Sequence, residues 1–385
     1  MVETEARAAL PSIESWSTIP WRELERRVYR LQKRIYQARA RGNLKAVHSL
    51  QRLLMKSWSA RALAVRRVTQ DNQGKKTAGV DGVKSVGPMI RLLFVEQLRH
   101  PQKIKARPVR QVLIPKSGKP NEFRPLGIPV LLDRAHQMLV KFALEPQWEA
   151  VFEPNSYGFR PGRSCHDAIQ AVFTMIGTKA KYVLDADIKG CFNAISHPAL
   201  LAKLETTPQI RRTVKAWLRA GILADGVVTP TTSGTPQGGV ASPLLANIAL
   251  HGLEQAAAAA YRSKDGTPFL IRYADDFVVL HPQLEGIEAS RTAIEHWLGG
   301  MGLHLSSTKT RVSHTLRIHE GNVGFDFLGF TVRQYPRGRC HTATSTKGQP
   351  LGFKTFITPS KSASNDTCTT SARASVSTGP SLNRR

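Results

Sequence analysis

Acids are scarce, cysteines are few and long apolar runs are missing. The 385 residues hold 28 Asp and Glu against 55 Lys and Arg, a formal net charge of +27. That imbalance points to a polyanionic partner, although a basic protein with no such role shows the same arithmetic. The four cysteines, Cys165, Cys191, Cys340 and Cys368, form no Cys-x-x-Cys pair. Neither a zinc knuckle nor a disulfide framework is supported, and a reducing, cytoplasmic setting fits best. No run approaches the roughly 20 apolar residues of a membrane span. Met1-Val2-Glu3-Thr4-Glu5 lacks the basic and apolar regions of a signal peptide. A membrane partner is therefore not expected. Apolar residues make up 41%, which is enough for a core.

Residues 22–67 carry fourteen Lys/Arg and two acids, Glu23 and Glu25. Leu24, Val28, Leu31 and Ile35 recur at helical spacing, as do Val47, Leu50, Leu54 and Trp58 after a Gly42-Asn43 break. Two amphipathic helices with basic outer faces are expected, suited to phosphate-backbone contact. A glycine-rich connector follows over 71–88. Val112–Ile114 reads as a strand ending at Pro115, residues 133–145 and 243–260 as helices, and Lys181–Ile188 as a strand. Such interleaving indicates an α+β or α/β domain. Residues 361–385 contain ten Ser/Thr and almost no large apolar side chain, so disorder is expected there.

Acids in apolar surroundings are the informative exceptions. In Ile271–Leu280, Asp275 and Asp276 interrupt a β-prone run. Neighbouring side chains on a strand point to opposite faces, so both acids reach one site only from a turn. Two strands flanking Ala274–Asp276 would make a hairpin with carboxylates at its tip. Paired anions near a core call for a cation, and hard oxygen ligands suit Mg²⁺. In Tyr182–Ile188, alternation places Val183, Asp185 and Asp187 on one face. Acids at the ends of apolar strands can build a two-metal site. Taken alone, an exposed Asp-Asp turn and a strand with a solvated acidic face explain the same residues.

Together the motifs resemble the group II intron-encoded reverse transcriptases/maturases. Tyr273-Ala274-Asp275-Asp276 is similar to the family's central acidic box, and Asp187-Ile188-Lys189-Gly190-Cys191-Phe192 to its first acidic motif. Arg124–Pro129, Ser156–Ser164, Gly234–Gly239, Lys309 and Phe327–Phe330 fall in the family's order, and the resemblance covers about residues 20–358. It implies a right-hand polymerase fold of class α+β, with fingers and palm over 71–340. A basic helical extension occupies 1–70, and the start of a thumb with a disordered tail occupies 341–385.

The resemblance also implies roles. Asp187, Asp275 and Asp276 are the metal-binding catalytic carboxylates, assisted by the backbone carbonyl of Ile188. Asp185 is a supporting acid. Lys116 and Arg124 face the triphosphate of the incoming deoxynucleotide, and the segment 99–124 has eight Lys/Arg to one acid. Phe192 packs beneath the sugar, Gln237 lies against the nucleotide, and Lys309 faces the pyrophosphate. Tyr157, Arg160 and Arg163 hold template, and Phe327 and Gly329 belong to the primer grip. The implied activity is RNA-directed DNA polymerisation on intron RNA from a DNA primer or target. A homodimer is compatible with it.

The pattern departs from the family after Phe353–Lys361. Amphipathic thumb helices should follow, and a Ser/Thr-rich tail stands there instead. A coding-frame shift near residue 361 and a truncated copy are the expectation, with splicing assistance in doubt. The alternatives are an impaired RNA-binding remnant and a retron-type reverse transcriptase.

Overall fold

The computed structural model describes residues 14–116, 119–338, 344 and 348–360. The expected disorder of 361–385, and Cys340 and Cys368, lie outside the described residues. The chain divides into two compact units that interleave along the sequence. One comprises residues 1–115, 123–152 and 192–248, the other 116–122, 153–191 and 249–385.

In the first unit, the helices Trp21–Ala40, Leu44–Lys56 and Trp58–Arg66 pack on the helix Leu131–Glu149. Leu24, Val28 and Ile35 form the inward stripe of the first helix, and Val47 and Leu54 that of the second. Asn43 caps the second helix by accepting from the Ala46 amide. The expected second helix ends earlier than its spacing suggested. Ser57 is extended and accepts from the Ala60 amide, so a third helix starts at Trp58, which is exposed. Small residues let this third helix sink into the unit: Ala60, Ala62 and Ala64 are fully buried. The Leu131–Glu149 helix is longer than expected and buried around most of its circumference. Its Gln147 accepts from Gln51 at 2.5 Å, and both side chains are fully buried.

The sheet of this unit has the order β2-β1-β4-β5. Its strands are β1 (Val109–Lys116), β2 (Lys119–Ile128), β4 (Ile222–Ala224) and β5 (Val227–Thr229). β1 runs through Pro115 instead of stopping there. Its parallel pairing with β4 involves only Val109 and Arg110, so Pro115 removes no ladder bond on that side. Asp225 and Gly226, both at positive φ, make the two-residue turn of the β4–β5 hairpin. The single helix expected over 243–260 is two, Ser242–Leu250 and Leu253–Ala259. Gly252 at φ +103° breaks the ladder between them.

The second unit is built on an antiparallel sheet of order β6-β7-β3-β8. These are β3 (Tyr182–Asp187), β6 (Phe269–Tyr273), β7 (Asp276–His281) and β8 (Arg311–His314). A smaller sheet follows, β11-β10-β9, from β9 (Phe325–Phe327), β10 (Phe330–Pro336) and β11 (Phe353–Pro359). The helix Cys165–Ile176, started by a Ser164/Asp167 capping box, buries Ala168, Ile169, Val172 and Ile176. They join Val183, Ile271, Val278, Phe325, Phe327 and Val332 in one apolar cluster. The helix Leu284–Gly300 packs on β3 and β7.

Candidate active site

Register decides where the acids go. β3 and β7 pair antiparallel with Val183 opposite Leu280, Asp185 opposite Val278 and Asp187 opposite Asp276. Side chains directly opposite share a face. The face is apolar at one end and ends in two facing carboxylates at the other. The β6–β7 hairpin closes with Tyr273 opposite Asp276, which leaves Ala274 and Asp275 as its turn. Ala274 takes a left-handed conformation, φ +59°. A two-residue turn supplies the third carboxylate that strand alternation would send away.

Charge is crowded here. Asp276 still reaches solvent, yet its carboxyl is pushed up to about 7. Desolvation is the largest cause, followed by the charges of Asp275 and Asp187, with relief from Lys309. The Lys309 ammonium donates to Asp187 Oδ2 at 2.7 Å, and that bond raises the Lys309 pKa. The segment carrying Lys309 is laced to Asp187. The Ser306 amide donates to the Asp187 carbonyl at 2.8 Å and the Lys189 amide to the His304 carbonyl at 2.9 Å. These two bonds flank the antiparallel pair Ile188 and Leu305 and use neither residue's own carbonyl. The Ile188 oxygen is therefore not consumed by that bridge.

Asp187 and Asp276 face each other with Asp275 in the adjoining turn, and carboxylate and carbonyl oxygens are hard donors of the kind a divalent cation takes. Among the described residues, no three His, Cys, Asp or Glu side chains are gathered around one point. The Lys309 ammonium supplies counter-charge at Asp187 instead. Asp185, two residues back, is raised to about 6, chiefly by burial. It lines a cavity with Arg311 and Asp326.

The hairpin tip rests on a brace that sequence reasoning missed. Arg272 is almost fully buried and donates from Nη1 to the Ala274 carbonyl at 3.1 Å. Residues 155–157 run alongside it: the Arg272 amide donates to the Asn155 carbonyl and the Tyr157 amide to the Arg272 carbonyl, each at 2.9 Å. Gly158 then lies so close to the turn that a Cβ there would collide with the Ala274 nitrogen. Glu153 anchors the base of this loop, its Oε1 accepting from the amides of Gly252 and Glu254 at 2.9 Å. The signal was present: Arg272 is a lone cation in the apolar run Phe269–Tyr273.

Other expected residues are redistributed. Arg160, expected on template, is buried and donates to the carbonyls of Glu153 and Ser156, both at 2.8 Å. It braces the loop, because a guanidinium this deep needs local acceptors. Arg163 stays nearer the surface, 5.2 Å over the Tyr157 ring. Phe327, expected on the primer, fills the apolar cluster; Leu328 and Gly329, both at positive φ, make the β9–β10 turn. Gly238, next to Gln237, approaches the protein's own backbone. A Cβ there would sit 2.8 Å from the Gly127 oxygen, and the Gly127 amide donates to the Gln237 carbonyl at 2.5 Å. Arg124 on β2 is exposed, and Phe192 and Gln237 are half-buried, all three within the first unit. Lys116 is the last residue of β1.

An antiparallel sheet whose two central strands end in facing carboxylates, with a third in the adjoining hairpin turn, has the layout of the palm of a nucleotidyl-transferring polymerase. The sequence pattern of the reverse transcriptase (RNA-dependent DNA polymerase) family matches residues 114–332, and that of the N-terminal domain of reverse transcriptase matches residues 16–98. The chain belongs to the reverse transcriptase family. Protein YkfC of Escherichia coli is 34% identical over 327 residues, 73% of this chain and 82% of that protein. Group II intron-encoded protein LtrA of Lactococcus lactis is 41% identical over 152 residues, 39% of this chain and 25% of LtrA. Maturase-like protein 1 of Euglena gracilis is 28% identical over 325 residues, 80% of this chain and 64% of that protein. A telomerase of Candida tropicalis superimposes with a TM-score of 0.47 at 14% identity, over 58% of this chain and 53% of that one. The relatives support the group II intron resemblance read from the motifs. Nucleic acid is the partner class of the family, and divalent metal ions its cofactor class. No helix among the described residues is long and apolar enough to cross a membrane.

Proposed function

We propose that this chain extends a DNA primer on an RNA template with Asp187, Asp275 and Asp276 as its catalytic carboxylates. The observation that carries the proposal is the register of Asp187 on Asp276 with Asp275 in the adjoining turn. Those side chains and the Ile188 carbonyl would hold Mg²⁺, which when bound activates the attacking 3′-hydroxyl and offsets charge on the reacting phosphate. Lys309 balances Asp187 when no other cation does, and in this reading donates toward the departing pyrophosphate. Tyr157 and Arg163 offer an aromatic face and a guanidinium to template. The turn at Leu328 and Gly329 presents backbone to the primer. Lys116 and Arg124 serve the triphosphate, Phe192 the sugar, and Gln237 lies against the incoming nucleotide. The basic helices within 1–70 bind intron RNA, and 71–340 are the fingers and palm.

Purified protein with an RNA template, a DNA primer, deoxynucleotides and Mg²⁺ provides the test. Extension should occur, and should vanish in Asp275→Ala/Asp276→Ala while RNA binding persists. No extension that depends on these acids, with RNA still bound, would reject the reading.

A further inference from the structure

We propose that the outer face of the β9–β10–β11 sheet binds single-stranded nucleic acid, placing one base beside Tyr335 and Phe356 and phosphates on Arg333, Arg337 and Lys354. This goes beyond the polymerase reading, which uses only the turn at the other end of the β9–β10 hairpin.

The pairing of β10 with β11 sorts the residues. Thr331 lies opposite Thr358, Arg333 opposite Phe356 and Tyr335 opposite Lys354. The alternate residues Val332 and Gln334 point inward and are fully buried. Gln334 is held there, donating to the Ile176 carbonyl at 2.8 Å and accepting from Thr315 at 2.6 Å. The inner face is thus fixed, and the outer one is committed to cations, aromatics and hydroxyls.

Their arrangement suits a stacked base. The rings of Tyr335 and Phe356 meet edge to face, 5.5 Å between centroids at 85°. The Arg333 guanidinium lies 4.6 Å over Tyr335, and the Lys354 ammonium 5.7 Å from the Phe356 ring centre. A cavity of about 230 Å³ opens among Thr331, Arg333, Tyr335, Arg337, Phe356 and Thr358. Arg333 Nε is buried without a hydrogen-bond partner, although a buried donor ordinarily finds one. Asp326 is the one acid on these three strands, and it accepts from Thr331 at 2.5 Å. Aromatic rings interleaved with cations give sequence-tolerant stacking and phosphate contact. A second copy of the chain would bring the same three cations to the interface, which disfavours self-association through it.

The test uses the full chain and short oligonucleotides carrying 5-iodouracil, in RNA and DNA arms. After irradiation, crosslinks should map to Tyr335 or Phe356 in at least one arm, and the stronger arm identifies the preferred strand. Tyr335→Leu/Phe356→Leu should lose the crosslink and weaken binding about tenfold. Arg333→Gln/Arg337→Gln, which replaces half-buried Arg333 and exposed Arg337 by neutral polar side chains, should lower the slope of log K against log salt by about 1.4. Crosslinks confined to other peptides, or an unchanged salt slope, would overturn the proposal. So would a concentration-dependent dimer abolished by the Arg variant. Primer extension by the unaltered chain is read separately, so this proposal and the polymerase reading fail independently.

Discussion

Replacing Gly158 by alanine tests how firmly the hairpin carrying Asp275 is held. A Cβ at 158 would lie 2.9 Å from the Tyr273 carbonyl carbon and 3.1 Å from Ala274 Cα, and nearer still to the Ala274 nitrogen. All three atoms are backbone, so no side chain can rotate away. The turn has to retreat by roughly half to one ångström to restore ordinary contact. Ala274 is already left-handed and is tied through its carbonyl to Arg272, so it has little slack. Overpacking of this kind costs about 1–3 kcal/mol. A displacement of about 1 Å at a catalytic group costs on the order of a hundredfold in rate. Single-turnover primer extension with Mg²⁺ should show that fall in the chemical step with little change in KM, and the melting temperature should drop. Gly299→Ala is the control, because nothing lies within 4 Å of a Cβ there and the backbone is helical. A Gly158→Ala protein that melts like the parent and extends within about threefold of it would refute the brace.

Two further outcomes follow from buried groups. Arg160→Ala should lower stability by about 1–3 kcal/mol, since two buried carbonyls lose the shorter of their hydrogen bonds, and leave the salt dependence of template binding unchanged. A smaller salt slope at unaltered melting temperature would return Arg160 to the template. Asp133 is held at about 6 by burial, above its usual 3.8. The folded state therefore takes a proton more readily than the unfolded chain, and that stabilisation, full below about pH 4, is lost as pH rises through 6. Asp133→Asn cannot ionise and can still accept from the Arg107 amide, 3.1 Å away in the parent. It should melt higher than the parent at pH 7.5 and like it at pH 4. An equal gain at both pH values would contradict the assignment.

The sequence alone determined a good deal, because local rules act over a few residues. Period-two alternation put Asp187 on a definite face of β3, and the interruption of an apolar run at Ala274–Asp276 announced a hairpin with acids at its tip. The Gly42-Asn43 break separates two helices in the structure as it does in the sequence pattern. The ordered motifs already resemble the family to which the chain belongs. Local rules failed where a single residue redirected the chain. Ser57 started a third helix, and Gly252 divided one expected helix into two.

Only the tertiary structure decided which charges are buried as braces and which stay near the surface. Arg160 and Arg163 are alike in a motif and both donate to the Ser156 carbonyl, yet Arg160 is buried while Arg163 stays nearer the surface and lies over Tyr157. Lys309 is 122 residues from Asp187 and reaches it at 2.7 Å. Arg272 looked like part of a strand and proved to support the turn beside it. The physical reason is the same in each case. Cost and role of a charge depend on desolvation and on partners brought from distant segments, and neither is visible in local spacing.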